Sequence, residues 1–549
     1  MPLPQCRAEP LDSWGWRARG SVKTTGMSSS WPQSIAGRQE PESTPRPLHL
    51  LVLLSLAASA VIWGATFIFG GQGVQLQRYL ALLGLFGISS AVFVASRIRQ
   101  GKLQLFELPV YLTAIFLLEF GLTPLRNFID PTQLNENLSA DGRELVQALA
   151  YVILGTLMFW IGCELARPRE RNRLAPDRVA ENPAGEPHKA SVLIMLVALY
   201  AASFGTKLLL LENQLFSFVG SMEKYYEHLA SMQVLNAISQ LGTLALIIAT
   251  IERYCARHDP LWRMIFVVVL SSELLWGLIS GSKGALLQNF IVLALVSSFV
   301  QRRLNLRWLV IAFLALVLFY PFSNAYRSVV TGRDAVEVTS FAEAARAGQM
   351  ALGELASPGA NPGYSWRDGL NSTLGRIDLL TCVAEVLTLG PRAGIVKGNV
   401  QWWMLPIYPF VPRFLWPSKP ILQEGGWFTV ALRGGSGDAA TIGTSIAVTY
   451  PGDLCLRFGL PGMLVGMFVL GVVAQWFTNR VNGKAEPRDL FVYASVFLIG
   501  FPIETDVFSM WTGLIKLMAI LYVLRRLIYG PEGGRRGQVL SRPGGLGRP

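Results

Sequence analysis

Charged residues are scarce in this chain, and their scarcity excludes a soluble globular protein. Only 15% of the 549 residues are Asp, Glu, Lys or Arg, whereas 51% are hydrophobic. Soluble domains carry about 25% charged residues. We therefore predict a protein that exposes much of its surface to lipid.

Residues and motifs of common catalytic sites are also few. The chain has four histidines and five cysteines, without a CxxC pair or metal-ligand spacing, so we expect no metal and no cofactor. The Walker P-loop, HExxH, GxSxG and DxD motifs are missing, which excludes the enzymes that they mark. A disulfide between Cys382 and Cys455 is compatible with their placement in one loop, but nothing in their spacing requires it.

What the chain does contain is a series of twelve apolar runs. About 20 apolar residues cross the hydrocarbon core of a bilayer as a helix. The sequence therefore predicts an all-α integral membrane protein with about 12 transmembrane helices and one long extracytoplasmic loop that carries short helices. The predicted spans are residues 48–70, 79–96, 107–124, 145–166, 190–211, 233–252, 264–281, 285–301, 308–324, 460–478, 489–505 and 509–527.

The orientation of these spans follows from the positions of Lys and Arg. Every even-numbered span is followed by a basic cluster, and cytoplasmic loops carry such clusters. We predict a multi-pass protein of the bacterial inner membrane with both termini in the cytoplasm. The net charge of +12 is explained by this pattern, so we expect no nucleic-acid partner. The clusters lie within residues 97–102, 167–178, 253–263, 302–307, 480–488 and 525–526.

Five regions follow from this topology. Residues 1–46 and 528–549 lack a core-forming pattern and are predicted to be disordered cytoplasmic tails, and Met27 is an alternative start to Met1. Residues 47–324 hold spans one to nine, and residues 460–527 hold spans ten to twelve. Residues 325–459 form a long periplasmic loop that caps the membrane, with a short apolar helix predicted at 376–390 and an aromatic, proline-rich segment at 402–417.

Arginine is the most prominent candidate for chemistry in the long loop. A guanidinium is permanently charged and binds phosphate in a bidentate manner, so it can hold a diphosphate headgroup. The alternative is that each arginine anchors the loop to lipid phosphates or pairs with a nearby carboxylate. The candidates are Arg327, Arg333, Arg376, Arg413 and Arg433.

Two short motifs are further candidates. Gly281 and Gly284 flank Lys283 in the outer turn between spans seven and eight, where backbone amides and one ammonium can bind an anion; an ordinary hairpin turn is the alternative. Asp453 lies where the long loop re-enters the membrane. It is our first candidate for a general base, with an i,i+4 pair to Arg457 as the structural alternative.

Four charged residues fall inside predicted spans and away from the span ends. Charges in lipid are costly, so we expect these side chains to face the protein interior, and a transporter would use them for ion coupling. They are Glu119, Lys207, Glu273 and Lys516.

Several motifs of the second half resemble bacterial oligosaccharide repeat-unit polymerases of the Wzy O-antigen polymerase type. The resembling strings are SGSKGA (280–285), NAYR (324–327), VPRFLWPSKP (411–420) and GDLCLRFGLPGMLVGMFVLG (452–471). The resemblance covers roughly residues 270–475, and the first half matches only as generic spans. The family often has Glu at the position of Asp453, and the shorter carboxylate requires an acceptor closer to the backbone.

The resemblance implies a metal-independent glycosyltransferase at the outer face of the inner membrane. It would transfer a polyprenyl-diphosphate-linked oligosaccharide onto a lipid-linked repeat unit in O-antigen or exopolysaccharide synthesis, with chain-length regulator and flippase proteins as partners. Asp453 or Asp378 would act as catalytic base. The residues assigned to substrate and diphosphate binding are Lys283, Arg327, Arg376, Arg413, Trp416, Lys419 and Arg433.

Two alternatives stay open at this stage. A glycan ligase would use the same donor with a different acceptor. A precursor transporter or flippase would show internal repeats and helices broken at mid-membrane.

Overall fold

The helices of the computed structural model cover most of the predicted spans. The structure describes residues 74–98, 106–129, 138–139, 142–168, 187–217, 224, 228–256, 258–301, 304–305, 307–331, 336–356, 375, 377–389, 407, 410–411, 415–416, 418–419, 425, 428, 430, 448–481 and 487–529. Outside these ranges lie the first predicted span, residues 1–46 of the N-terminal tail and residues 530–549 of the C-terminal tail. The described residues form helices and no strand, which confirms the all-α prediction for this part of the chain.

Fifteen α-helices follow one another in the described ranges. They are α1 (Val74–Ile98), α2 (Leu108–Phe116), α3 (Leu125–Ile129), α4 (Arg143–Leu165), α5 (Pro187–Glu212), α6 (Leu229–Ser239), α7 (Leu241–Cys255), α8 (Pro260–Ile279), α9 (Lys283–Gln301), α10 (Arg307–Thr331), α11 (Phe341–Ala356), α12 (Leu380–Leu389), α13 (Tyr450–Val481), α14 (Pro487–Ile499) and α15 (Val507–Tyr529). A π-helical turn, Leu117–Leu122, continues α2.

Nine helical segments in the described ranges are long and apolar enough to cross a membrane. They match predicted spans two to eight, ten and twelve, so the chain is a multi-pass membrane protein. Predicted spans nine and eleven correspond to α10 and α14, which are helical but are not among the nine. The nine are Val74–Ile98, Leu108–Phe128, Arg143–Leu165, Lys189–Glu212, Val234–Cys255, Pro260–Ile279, Lys283–Gln301, Tyr450–Val481 and Val507–Tyr529.

A buried polar network joins four helices at one end of the bundle, which we call the Arg97 end. The Arg97 guanidinium, near the end of α1, lies 3.3 Å from Glu107 before α2 and 2.7 Å from Glu164 near the end of α4. It also donates to Gln475 of α13 at 2.7 Å. Consequently α1, α4 and α13 end on the same side, where α2 begins, as the alternation of basic clusters requires.

At the opposite end of the bundle, the ends of several other helices pack together in a hydrophobic cluster. Leu211 near the end of α5, Ile279 at the end of α8 and Tyr326 near the end of α10 all belong to it. The turn between α8 and α9 lies beside it, because a Cβ atom built on Gly281 would lie 3.4 Å from the ring of Tyr326. We call this the Gly281 end.

Helices α4 and α13 run parallel and cross at two glycines. A Cβ atom built on Gly471 would lie 2.0 Å from the carbonyl oxygen of Phe159, and one built on Gly162 would lie 2.2 Å from that of Phe468. The Cys163 thiol lies 3.3 Å from the carbonyl oxygen of Gly471. Only glycine permits this approach of two backbones.

We therefore expect Gly471→Ala to lower the free energy of unfolding by about 1–3 kcal/mol, because the added methyl forces the two backbones apart. Gly84→Ala in α1 is the matched control, since its Cβ would meet nothing within 4 Å. The aggregation temperature of the detergent-solubilised protein, followed by size-exclusion chromatography, measures both. Equal temperatures for the two variants would contradict the close crossing.

Helix α13 is bent sharply at Gly459, where φ is +66° and ψ is −169°. The Tyr450 hydroxyl donates to the carbonyl oxygen of Gly466 at 3.1 Å, and Cys455 lies 3.3 Å from the sulfur of Met463. In a straight α-helix residues 450 and 466 would be about 24 Å apart. Residues 450–458 therefore fold back beside the first turns of the tenth span.

The short apolar helix predicted at 376–390 is confirmed as α12. Its N-terminal neighbour Leu379 donates to the carbonyl oxygen of Glu119 in the π-helical turn at 3.2 Å. Val383 and Val386 lie next to the folded-back start of α13, since a Cβ atom built on Gly452 would lie 3.7 Å and 3.9 Å from their methyl groups. Cys382 and Cys455 are both thiols, so the suggested disulfide between them does not form.

Candidate functional site

The turn between α8 and α9, residues 280–285, is built around a glycine and two serines. Gly281 has a φ of +62°, the left-handed conformation that favours glycine. The Ser280 hydroxyl donates to Gly277 at 2.8 Å and accepts the amide of Ser282 at 3.1 Å. These local bonds define the turn on which Lys283 is placed.

Helix α10 holds this turn through three side chains. Ser323 and Arg327 donate to the carbonyl oxygen of Gly281, at 2.8 Å and 2.9 Å. The Lys283 ammonium donates to the Asn324 amide oxygen at 2.9 Å. The structure thus brings two predicted binding residues, Lys283 and Arg327, to one turn, although they belong to different helices.

The bond from Arg327 Nε to Gly281 fixes the orientation of the guanidinium plane. A cation with a fixed orientation, next to an ammonium, is suited to phosphate binding. The same three bonds also stabilise the α8–α9 hairpin, so the structural alternative for this turn is satisfied as well. We call Lys283, Asn324 and Arg327 with the turn 280–285 the Gly281 site.

Asp453 lies in the folded-back part of α13 and is fully buried. One carboxylate oxygen accepts from Arg457 Nε at 2.7 Å, and the other accepts from the amide of Val507 at 3.0 Å. The i,i+4 pair is therefore confirmed. Because the second bond satisfies an amide at the start of α15, these contacts favour a positioning role over the predicted role as general base.

Asp378 precedes α12 and is also buried. Its carboxylate accepts from Asn127 Nδ2 at 2.6 Å, from the Thr381 hydroxyl at 2.8 Å and from the Thr381 amide at 3.2 Å. The contact with the Thr381 amide caps the helix. The sequence prediction did not include Asn127 and Thr381; an asparagine three residues after the end of an apolar span was the available signal.

Residues 191–486 match the model of one protein family, described as a domain of unknown function, DUF8712. The match spans 296 of the 549 residues, more than half of the chain. The chain belongs to the DUF8712 family. No curated protein and no solved structure matches it significantly.

The DUF8712 region contains the Gly281 site, Asp378 and Asp453. Its description assigns no activity, so family membership places these residues within one matched region without stating their chemistry. The buried network at the Arg97 end lies largely outside the matched residues, apart from Gln475.

Two further predicted residues of the DUF8712 region make local contacts. The Lys419 ammonium, nearly buried, donates to the carbonyl oxygen of Val411 at 2.9 Å. The Trp416 indole donates to the Ser418 hydroxyl at 3.1 Å. Four predicted residues lie outside the described ranges: Arg333, Arg376, Arg413 and Arg433.

The charges inside the spans divide into two groups. Lys207 and Glu273 form a buried ion pair, with both carboxylate oxygens within 2.8 Å of the ammonium, and Glu119 is half-buried in the π-helical turn. Lys516, however, is exposed and lies 5.9 Å from the ring centre of Phe410. The prediction that all four face the interior is wrong for Lys516, because α15 packs against the bundle through the opposite face.

Proposed function

We propose that this DUF8712 protein is a membrane glycan polymerase of the bacterial inner membrane. It would transfer a polyprenyl-diphosphate-linked oligosaccharide onto a lipid-linked repeat unit. The observation that supports the proposal is the Gly281 site, where Lys283 and Arg327 are fixed on one turn at one end of a membrane-spanning bundle. Both termini would be cytoplasmic, and the Gly281 end would face the periplasm.

The reaction needs charge stabilisation and one base. The acceptor hydroxyl oxygen would form a bond to the anomeric carbon of the donor, while the bond from that carbon to the diphosphate breaks. The hydroxyl proton would pass to a carboxylate, and Lys283 and Arg327 would stabilise the departing diphosphate. Of the two candidate bases, Asp378 is preferred, because it accepts hydrogen bonds from the uncharged Asn127 and Thr381, whereas Asp453 is paired with the Arg457 guanidinium, which makes it a weaker base.

We expect Arg327→Gln and Lys283→Gln to lower the polymerisation rate by about 10²- to 10³-fold, the usual cost of removing one group that stabilises developing charge. Arg525→Gln is the matched control, since Arg525 pairs with Asp489 at 3.2 Å near the Arg97 end. Polysaccharide chain length by gel electrophoresis, normalised to protein level, measures the effect. Full-length polysaccharide from both Gly281-site variants would contradict the assignment.

A deletion strain separates the proposal from a glycan ligase. Without a polymerase, single lipid-linked repeat units accumulate on the outer leaflet. Without a ligase, finished chains accumulate on the lipid carrier. Mass analysis of the lipid-linked intermediates therefore distinguishes the two.

One observation favours a transporter as the second candidate. Helix α14 has 13 residues and is about 20 Å long, shorter than the hydrocarbon core of roughly 30 Å. The non-helical segment that follows it meets the folded-back start of α13, where the Tyr450 amide donates to Ile503 at 2.9 Å. Broken helices that meet inside the membrane are typical of transporters. Single repeat units trapped on the inner leaflet of the deletion strain would favour transport.

A further inference from the structure

Two buried hydrogen-bond donors flank the Gly281 site without an acceptor. Trp276 and Tyr326 are each 2% exposed, and neither the Trp276 indole N–H nor the Tyr326 hydroxyl has a hydrogen-bond partner. Trp276 lies one helical turn before the Gly281 turn, since its carbonyl oxygen accepts the Ser280 amide at 2.9 Å, and a Cβ atom built on Gly281 would lie 3.4 Å from the Tyr326 ring. An unsatisfied buried polar group destabilises a fold, so a ligand that offers acceptors to these two donors would be stabilised by them.

The surroundings of these donors are aromatic. Trp276 lies 5.2 Å from Phe216, 5.6 Å from Phe204 and 5.3 Å from Phe341, measured between ring centres. Tyr326 stacks on Phe322 at 5.8 Å. Trp276 and Tyr326 belong to one hydrophobic cluster. A cluster of apolar rings with two unused donors is suited to a ligand that has both an apolar face and hydrogen-bond acceptors, which describes a sugar ring.

Helix α11 covers this cluster through small side chains. Its buried residues are Ala344, Ala347 and Ala351, whereas Phe341 at its start is 38% exposed. Alanine methyl groups bury little apolar area, so moving α11 away exposes less surface than moving a helix docked through leucines. Phe341, at the start of α11, is the residue of this helix that lies against the Trp276 indole.

We propose that Trp276 and Tyr326 form a hydrogen-bonding subsite for an uncharged sugar ring, and that α11 is displaced when the sugar enters. The choice of a sugar rests on the proposed function. The subsite lies beside Lys283 and Arg327, so it would hold the sugar next to the diphosphate that these cations bind.

The test uses substitutions that remove one donor and keep the ring, Trp276→Phe and Tyr326→Phe. We expect both variants to unfold at the wild-type temperature or above, because neither loses a protein hydrogen bond. We expect their Kd for oligosaccharides, prepared by partial acid hydrolysis of the host polysaccharide, to rise by about tenfold. Phe322→Leu, which alters the aromatic wall and leaves both donors, is the control for packing changes.

Three outcomes would overturn the subsite. Wild-type affinity in both Phe variants would show that the donors are unused. A lowered unfolding temperature with unchanged affinity would assign both groups to the fold. If the wild-type protein binds none of the oligosaccharides, a sugar is excluded as the ligand of the subsite, whatever the deletion strain shows. The proposed function fails separately, if the deletion strain makes normal polysaccharide and normal lipid-linked intermediates.

The movement of α11 is tested by cysteine labelling. Ala347 is fully buried, and Ala345 on the same helix is exposed. We expect Ala347→Cys to react with a maleimide faster when the oligosaccharides are present, and Ala345→Cys to react at one rate in both conditions. Labelling is counted by peptide mass at each position. An Ala347→Cys variant that stays unreactive with bound oligosaccharide would rule out the displacement.

Discussion

Arg97→Gln is expected to lower the free energy of unfolding by about 3–5 kcal/mol, the usual cost of breaking a buried ion pair. The Arg97 side chain is fully buried and holds Glu107, Glu164 and Gln475, which belong to three other helical segments. Without the guanidinium, two carboxylates stay close together with their countercharge reduced. The amount of monodisperse protein after solubilisation, and its unfolding temperature, measure the loss.

Arg525→Gln is again the appropriate control, because it removes an arginine from an ion pair that is only partly buried. The Arg525 and Asp489 side chains are 26% and 20% exposed, and such pairs contribute at most about 1 kcal/mol. The prediction is wrong if Arg97→Gln and Arg525→Gln have the same unfolding temperature. That result would mean that the helices at the Arg97 end are held by apolar packing alone.

The second large effect is expected at the ion pair between α5 and α8. Lys207→Met should lower the free energy of unfolding by about 3–5 kcal/mol, because Glu273 would stay buried and charged without a partner. The Glu273 carboxylate packs closely against Gly242, since a Cβ built on that glycine would lie 2.4 Å from its oxygen. Adding Glu273→Gln should recover most of the loss, because a neutral amide replaces the isolated charge.

This double substitution also tests whether the pair has a transport role. A purely structural pair predicts that the Lys207→Met/Glu273→Gln protein recovers most of the wild-type stability and keeps wild-type activity. A pair that couples an ion predicts restored stability with lost activity. Lys189→Met is the control, because Lys189 is 61% exposed and lies 4.0 Å from Asp259. A single Lys207→Met variant as stable as Lys189→Met would contradict the prediction.

The predicted spans agree closely with the helices because each span depends on a local property. A run of apolar residues long enough to cross lipid must satisfy its backbone internally, and a helix is the simple way to do so. The predicted span 145–166 and α4 at Arg143–Leu165 differ by two residues at the start and one at the end. The alternation of basic clusters likewise placed the ends of α1, α4 and α13 together, as the buried network shows.

The candidate site was predictable only in part. Lys283 and Arg327 were each proposed from residue type and motif, but their meeting depends on how α10 packs on the α8–α9 turn. The pairing of Asp453 with Arg457 followed from a helical spacing of four residues. Its bond to the Val507 amide did not, because residues 54 positions apart meet only after the chain has folded.

The amino-acid sequence by itself determined that the chain is an α-helical membrane protein, where most of its spans lie, and which of their ends share a side. Length, hydropathy and the positions of Lys and Arg are local properties, and lipid allows few solutions to them. The tertiary structure alone decided that residues 450–458 fold back, that α12 is buried, and that Trp276 and Tyr326 adjoin the Gly281 turn without acceptors. These features arise from contacts between distant segments, whose geometry no short stretch of sequence encodes.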